Sequence, residues 1–269
     1  MAEKAILYDA TKCTACRGCQ AACKQWHNLP GEETGNWGSY QNPRDLSVDT
    51  WLLMEFREVG ENGDLKWLFS RRSCLHCTDA ACVKVCPTGA LYYHPLGFVS
   101  VDQGMCTSCG YCVEFCPFDV PRLDINRASG LGSRIEKCTA CTTPGLDRID
   151  NGYEPACVKA CPPKALRYDN WEDMVSLGKA RVLELKAEGH ADARLYGETE
   201  VGGTHVLYVL DDLPENYGLP ADPKVPAAAT AWQDVLKPLG YAAAGIVGLG
   251  LLINIMVARA RIITREEKK

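Results

Sequence analysis

The sequence predicts an α+β protein of two interleaved cysteine-rich modules followed by a single transmembrane helix. Three observations carry that expectation. Sixteen cysteines fall into four quartets within the first 161 residues. Short apolar stretches recur at matching positions around the quartets. Near the C-terminus, twenty consecutive residues from Leu239 to Ala258 carry no charge.

The quartets read Cys13-x2-Cys16-x2-Cys19-x3-Cys23, Cys74-x2-Cys77-x4-Cys82-x3-Cys86, Cys106-x2-Cys109-x2-Cys112-x3-Cys116 and Cys138-x2-Cys141-x15-Cys157-x3-Cys161. A [4Fe–4S] cluster takes four thiolates, and a C-x2-C-x2-C-x3-C run is the spacing that wraps one, with the fourth thiol given to a second cluster. Sixteen cysteines therefore supply four [4Fe–4S] clusters as iron ligands, with none left over. Pro87, Pro117 and Pro162 follow the last cysteine of three quartets, as in that run. Zinc sites use well-separated C-x2-C pairs rather than four thiols within eleven residues. Disulfide scaffolds belong to small secreted domains, and a chain of 269 residues without a charged-plus-apolar leader does not fit that class.

Composition narrows the rest. At 46% hydrophobic and 23% charged the chain is ordinary for a globular protein. Its formal net charge of −5 argues against a nucleic-acid partner. The first 170 residues are rich in Gly, Pro and loop signals, so a modest core is expected there, with metal binding coupled to folding.

The internal repeat shows how the quartets pair. Between Cys86 and Cys106, Ala90–Tyr93 and Phe98–Val101 flank His94-Pro-Leu-Gly97 and read as a hairpin. This is the layout of a two-cluster ferredoxin, so quartets two and three form an inner ferredoxin-like module over residues 73–125. Quartets one and four are left to pair. Ala165–Tyr168 follows Cys161 as Ala90–Tyr93 follows Cys86, and Ala5–Tyr8 precedes Cys13 as Phe98–Val101 precedes Cys106. The outer module is then split, residues 1–23 with 138–170, and its two distant strands are expected side by side. Cross-donation of the fourth cysteine assigns four ligand sets: Cys13, Cys16, Cys19 and Cys161; Cys138, Cys141, Cys157 and Cys23; Cys74, Cys77, Cys82 and Cys116; Cys106, Cys109, Cys112 and Cys86. A following proline biases the fourth cysteine to extended backbone, an aid that Lys24 removes at Cys23.

Residues 24–72 form an insertion. Thr50–Val59 and Asp64–Ser70 flank Gly60-Glu-Asn-Gly63, a hairpin signal, and Trp51, Phe56, Trp67 and Phe69 give it a candidate docking surface. In the extension 171–230 a helix is expected over Trp171–Glu188 and a strand over Thr204–Leu210, followed by a Pro/Ala-rich linker, Leu219–Thr230. The span 237–258 suits one membrane-crossing helix, with Gly240, Ala244 and Gly248 as a small-residue stripe for a partner helix. It contains no histidine, so any haem belongs to a partner. Arg259, Arg261, Arg265, Lys268 and Lys269 make 259–269 a basic cytoplasmic tail by the positive-inside rule, which places the cluster domain on the opposite side.

His27, His76, His94, His190 and His205 are read as loop residues, with His76, between Cys74 and Cys77, a candidate for tuning a cluster by hydrogen bonding. No Ser/His/Asp arrangement, P-loop or dinucleotide fingerprint is present, so no catalytic residue is assigned.

The stretch Ala5-Ile-Leu-Tyr-Asp-Ala-Thr-Lys-Cys-Thr-Ala-Cys-Arg-Gly-Cys-Gln-Ala-Ala-Cys-Lys-Gln-Trp-His-Asn28 resembles the start of a formate dehydrogenase iron–sulfur (beta) subunit. Asp147-Arg148 through Gly152 and Pro155-Ala-Cys-Val-Lys-Ala-Cys-Pro162 resemble the fourth quartet of the wider group, the four-cluster subunits of molybdopterin oxidoreductases. The resemblance implies a non-catalytic electron-transfer subunit. It would relay electrons from a molybdenum or tungsten molybdopterin catalytic subunit to a membrane cytochrome b or quinone-reducing partner. It also implies a single-pass protein of the inner (cytoplasmic) membrane, exported folded beside a catalytic subunit with a twin-arginine signal, its clusters periplasmic and its C-terminus cytoplasmic. The alternatives are the equivalent subunit of a hydrogenase or of a sulfur-compound, dimethyl sulfoxide or nitrate reductase, and a stand-alone membrane-tethered ferredoxin.

Overall fold

Within residues 2–60, 65–123 and 134–266, which the computed structural model describes, the chain divides into two units at Pro226. Most of the predicted Gly60–Gly63 turn, the last residues of the predicted inner module (124–125) and the lysines Lys268 and Lys269 lie outside the described residues. In the first unit the elements are β1 (Lys4–Asp9), α1 (Gly18–Trp26), β2 (Leu53–Val59), β3 (Lys66–Arg72), α2 (Ala81–Lys84), β4 (Leu91–Tyr93), β5 (Val99–Val101) and α3 (Tyr111–Glu114), then α4 (Ala156–Lys159), β6 (Leu166–Asn170), α5 (Trp171–Ala187), β7 (Arg194–Tyr196) and β8 (Val206–Leu210).

The main sheet has the strand order β6-β1-β8-β7. β1 runs antiparallel to β6, with Ile6 opposite Tyr168 and Tyr8 opposite Leu166. That is the long-range pairing expected from the repeat. On its other side β1 runs parallel to β8, Ile6 opposite Val206, and β8 pairs antiparallel with β7. Thr204–Leu210 is therefore not a peripheral packing element but supplies a central strand. The physical reason is that an open edge on β1 would leave a row of backbone N–H and C=O groups unpaired.

Side-chain alternation gives this sheet two different faces. Ala5, Leu7, Leu207 and Val209 pack against Met174, Val175, Val182 and Leu185 of α5. Ile6, Tyr8, Val206, Tyr208 and Leu210 join the core that contains Cys19, Cys23, Cys138, Cys157 and Cys161. Each large aliphatic side chain buried under α5 contributes about 1.5–3 kcal/mol. This layer holds no cysteine, so the expectation of a uniformly modest, cluster-stapled core is corrected here. Helix α5 starts after Asn170 with Glu172 and Asp173 in its first turn, where acidic groups favour the helix dipole. It ends at Gly189, which takes a φ of +102° suited to glycine.

The inner hairpin is small, pairing Leu91 with Val101 and Tyr93 with Val99. Its turn glycine, Gly97, has a φ of +90° and lies against the buried His205 ring, so an added Cβ would fall 2.2 Å from the ring carbon Cε1. A Gly97→Ala substitution is expected to cost about 2–4 kcal/mol through strain and overpacking. A thermal melt checks this; an unchanged midpoint would mean that the ring swings aside without penalty.

The inserted hairpin pairs β2 with β3, Phe56 opposite Phe69 and Val59 opposite Lys66. Its aromatic face differs from expectation in one respect. Trp51 is buried and packs inward on His27, ring centroids 4.7 Å apart. Tyr40 takes its place on the outer face, 5.0 Å from the Trp67 ring. Gln20 of α1 ties this insertion to the first quartet, accepting the Met54 N–H at 3.2 Å and donating to the Asn42 carbonyl at 3.0 Å.

The second unit is helical: α6 (Ala227–Ala231), a π-helical turn over Trp232–Leu236 and α7 (Lys237–Glu266). The end of the predicted linker is thus helical from Ala227, and α7 runs on past Ala258. Residues Ala227–Arg259 form a helix of mean hydropathy 2.0 over its most apolar window, none of that window buried. It is long and apolar enough to cross a membrane.

Candidate iron–sulfur sites

All four quartets share one backbone device. The residue before the second cysteine has a positive φ in each: Ala15 at 51°, His76 at 52°, Ser108 at 58° and Ala140 at 54°. None is glycine, and each such residue costs about 1–2 kcal/mol in isolation. The left-handed step curls the loop so that successive N–H groups and thiols point to one side, a concavity suited to an anion. Two of these loops already show it: the Ala15 N–H donates to Cys13 Sγ and the Ala140 N–H to Cys138 Sγ, each at 3.4 Å.

The rest of each quartet sits on a short helix. α2 and α4 have the same sequence, Ala-Cys-Val-Lys, and α3 reads Tyr-Cys-Val-Glu. These three stop after four residues because the Cys-Pro step that follows disfavours helical backbone at the cysteine. In the first quartet Lys24 replaces the proline, and α1 continues to Trp26. His27, the residue after it, is therefore one turn beyond Cys23 on the same face.

The structure brings the cysteines together in groups of four. Cys86, Cys106, Cys109 and Cys112 line one cavity of about 350 Å³. Cys74, Cys77, Cys82 and Cys116 line another of about 370 Å³, with Lys137 in its wall. In the outer region Cys23 is pushed well above the ordinary thiol range by burial and by its neighbours Cys138, Cys157 and Cys141. Cys13 is raised by burial, with Cys161 and Cys16 adding like-charge repulsion. Among the described residues no three cysteine, histidine or carboxylate side chains converge closely enough to hold a single ion. Four sulfurs around a cavity suit a cubane, which is wider than an ion, and thiolate is its ligand. The residues present fit [4Fe–4S] clusters.

Protonation follows from burial. Cys19, Cys112 and Cys141 are pushed up to about 12, and Cys116 to about 11, chiefly by loss of water. Without iron these thiols stay protonated at neutral pH, and cluster binding releases their protons. Cys86 goes the other way: burial raises it, but donors from Leu91, Thr88 and Ala90 pull it below the usual thiol value. Cys16 and Cys109 are exposed.

Two buried cations lie among the sulfurs. Arg71 is fully buried; its guanidinium donates to Ser73 Oγ and, at 3.7 Å, to Cys157 Sγ, while the Tyr208 hydroxyl donates to its carbonyl at 2.6 Å. Lys137 donates to the Val99 and Cys138 carbonyls at 2.6 and 3.0 Å. His27 has its Nε2 3.7 Å from Cys141 Sγ, and burial lowers it to about 4, so its ring is neutral. His76 Nδ1 instead accepts the Val99 N–H at 3.0 Å, and its Nε2 is buried without a partner.

Two family profiles, each described as a 4Fe-4S dicluster domain, match residues 12–90 and 65–170. The nitrate-inducible formate dehydrogenase iron-sulfur subunit of Escherichia coli K12 is 43% identical over 250 residues, covering 91% of this chain and 81% of that protein. The chain belongs to the family of formate dehydrogenase iron–sulfur subunits. A Haemophilus influenzae formate dehydrogenase iron-sulfur subunit is 42% identical, covering 93% of this chain and 78% of its own. The hydrogenase-2 operon protein HybA of Escherichia coli O157:H7 is a more distant relative, 31% identical over 93% of this chain and 83% of its own. As a formate dehydrogenase iron–sulfur subunit the chain is a non-catalytic electron-transfer subunit, and the cavities above are cluster sites rather than substrate pockets.

Sequence reasoning passed over Arg71 and His27. His27 had a signal, its spacing of four from Cys23 on a helical stretch. Arg71 had none: in a two-stranded hairpin either of Arg71 and Arg72 reads as solvent-facing.

Proposed function

We propose that the chain is the electron-relay subunit of a membrane-bound formate dehydrogenase and holds four [4Fe–4S] clusters. The carrying observation is that sixteen cysteines gather as four groups of four. The ligand sets are Cys13, Cys16, Cys19 and Cys161; Cys23, Cys138, Cys141 and Cys157; Cys74, Cys77, Cys82 and Cys116; and Cys86, Cys106, Cys109 and Cys112. The first two belong to an outer module, residues 1–23 with 138–170, and the last two to an inner module, 73–125. Bound there, each cluster supplies one-electron storage and release. The chain holds the clusters in a buried row and exposes its edge at Cys16 and Cys109, where electrons enter and leave.

The donor is a molybdopterin catalytic subunit, docked on the aromatic face carrying Tyr40 and Trp67, which are 61% and 47% exposed. The acceptor is a membrane cytochrome b or quinone-reducing partner reached through the apolar helix of the second unit, which sits in inner-membrane lipid. The basic residues after Ala258 favour a cytoplasmic C-terminus and a periplasmic cluster domain.

Purification from detergent-solubilised membrane tests this. About sixteen irons per chain are expected, together with a co-purifying formate-oxidising molybdopterin protein. Similarity to HybA favours one second reading, a hydrogenase counterpart, which a co-purifying hydrogen-oxidising subunit would establish. A chain that purifies alone with a full complement of iron would sink both.

A further inference from the structure

Resting on the ligand set Cys23, Cys138, Cys141 and Cys157, we propose that Arg71 and His27 are potential-setting residues that raise the midpoint potential of the cluster held there. Both place a side-chain N–H at a ligand sulfur. Arg71 Nη2 lies 3.7 Å from Cys157 Sγ and His27 Nε2 lies 3.7 Å from Cys141 Sγ. A thiolate ligand only accepts, so the proton of His27 must be on Nε2, and the unpartnered, buried Nδ1 is the bare nitrogen.

Arg71 is a fully buried cation, and burying one costs several kcal/mol unless a counter-charge faces it. The groups that favour its charge are Cys157, Tyr208, Cys138 and Cys19. A cubane with four thiolates is anionic, and gains one more negative charge on reduction. A fixed cation and two N–H donors stabilise that reduced form more than the oxidised one, which raises the potential. The ring of His27 is held for this task from both ends. Its backbone N–H bonds the Cys23 carbonyl at 3.1 Å, and its ring lies on Trp51.

The test is a potentiometric titration of the full-length, cluster-loaded chain in detergent, followed by electron paramagnetic resonance. A Cys157→Ser chain identifies the signal that belongs to this site. In Arg71→Met that signal is expected to titrate lower by at least tenfold in the reduction equilibrium, about 59 mV for a one-electron couple. A smaller shift is expected at the cluster of Cys19, which also feels Arg71. His27→Phe keeps a ring on Trp51 but has no N–H, and lowers the same signal without moving the others. His27→Gln, which keeps a donor, recovers most of the loss. The His27 pair, a near-isosteric change, decides the question by itself where Arg71→Met disrupts folding. A lost signal in Cys157→Ser with unmoved midpoints in the His27 and Arg71 variants overturns the tuning alone. A Cys157→Ser chain that keeps all four signals overturns the ligand assignment, and this inference with it.

Discussion

Replacing Cys86 with Ala is expected to erase the iron–sulfur signal of the site built on Cys106, Cys109 and Cys112, and to leave that of Cys74, Cys77 and Cys82 in place. In sequence Cys86 belongs to the second set of thiols; in space it lines the cavity of the third. Its sulfur is also the one prepared for ligation, since donors from Leu91, Thr88 and Ala90 hold it below the usual thiol range despite burial. The site of Cys74, Cys77 and Cys82 has Cys116 as its fourth wall. The expected loss is about four of sixteen irons, with one spectroscopic signal gone. Because Cys86 and Cys112 lie in the inner module's own small core, a lower thermal midpoint accompanies it. Disappearance of the other inner signal instead would refute cross-donation of the fourth thiol.

Ending the chain after Pro226 is expected to abolish membrane attachment while keeping every cluster. The first unit closes on itself through Pro226, and all sixteen cysteines lie before residue 162. What is lost is a helix with exposed Leu249, Leu251, Ile255 and Met256 on a span of mean hydropathy 2.0. Twenty such residues cover about 30 Å, the thickness of a bilayer's hydrocarbon core. The measurements are iron per chain and partition between detergent and aqueous phases. Formate oxidation with a soluble artificial acceptor should persist in the assembled complex while quinone reduction fails. A truncated chain that loses iron would show that the helix completes the fold.

Some of this architecture was legible from residues alone, and the reason is repetition. β1 and β6 could be paired across 160 residues because the inner hairpin shows the same two flanks joined by a short turn. The uncharged span from Leu239 declared itself by length. β8 was legible as a strand, yet nothing in Thr204–Leu210 says which edge it covers, because its partner is selected by an open hydrogen-bonding edge rather than by a motif. β7, three residues long, has too few positions to show alternation. At the sites, the cysteine pattern was visible, while the left-handed residues before each second cysteine were not. Ala15, Ser108 and Ala140 carry no preference for that backbone; the loop imposes it. His76 drew attention because it stands between two cysteines, and Trp51 because it is aromatic. Burial turned one toward Val99 and the other under His27, and no local pattern encodes that.

The placement of β1 bears on how the protein comes into being. The ribosome makes β1 first, yet its neighbours on the two sides, β6 and β8, are among the last segments of the first unit to be translated. About 160 residues must follow before β6 emerges, on the order of ten seconds or more at ordinary elongation rates. Throughout that interval the nascent chain displays an unpaired apolar strand and the thiols of Cys13, Cys16, Cys19 and Cys23. Maturation cannot proceed from the N-terminus outward, and the earliest-made cysteines are the longest exposed to oxidation before anything shelters them. A cell producing this chain therefore has reason to guard its N-terminus during synthesis, and to delay its export until translation has finished.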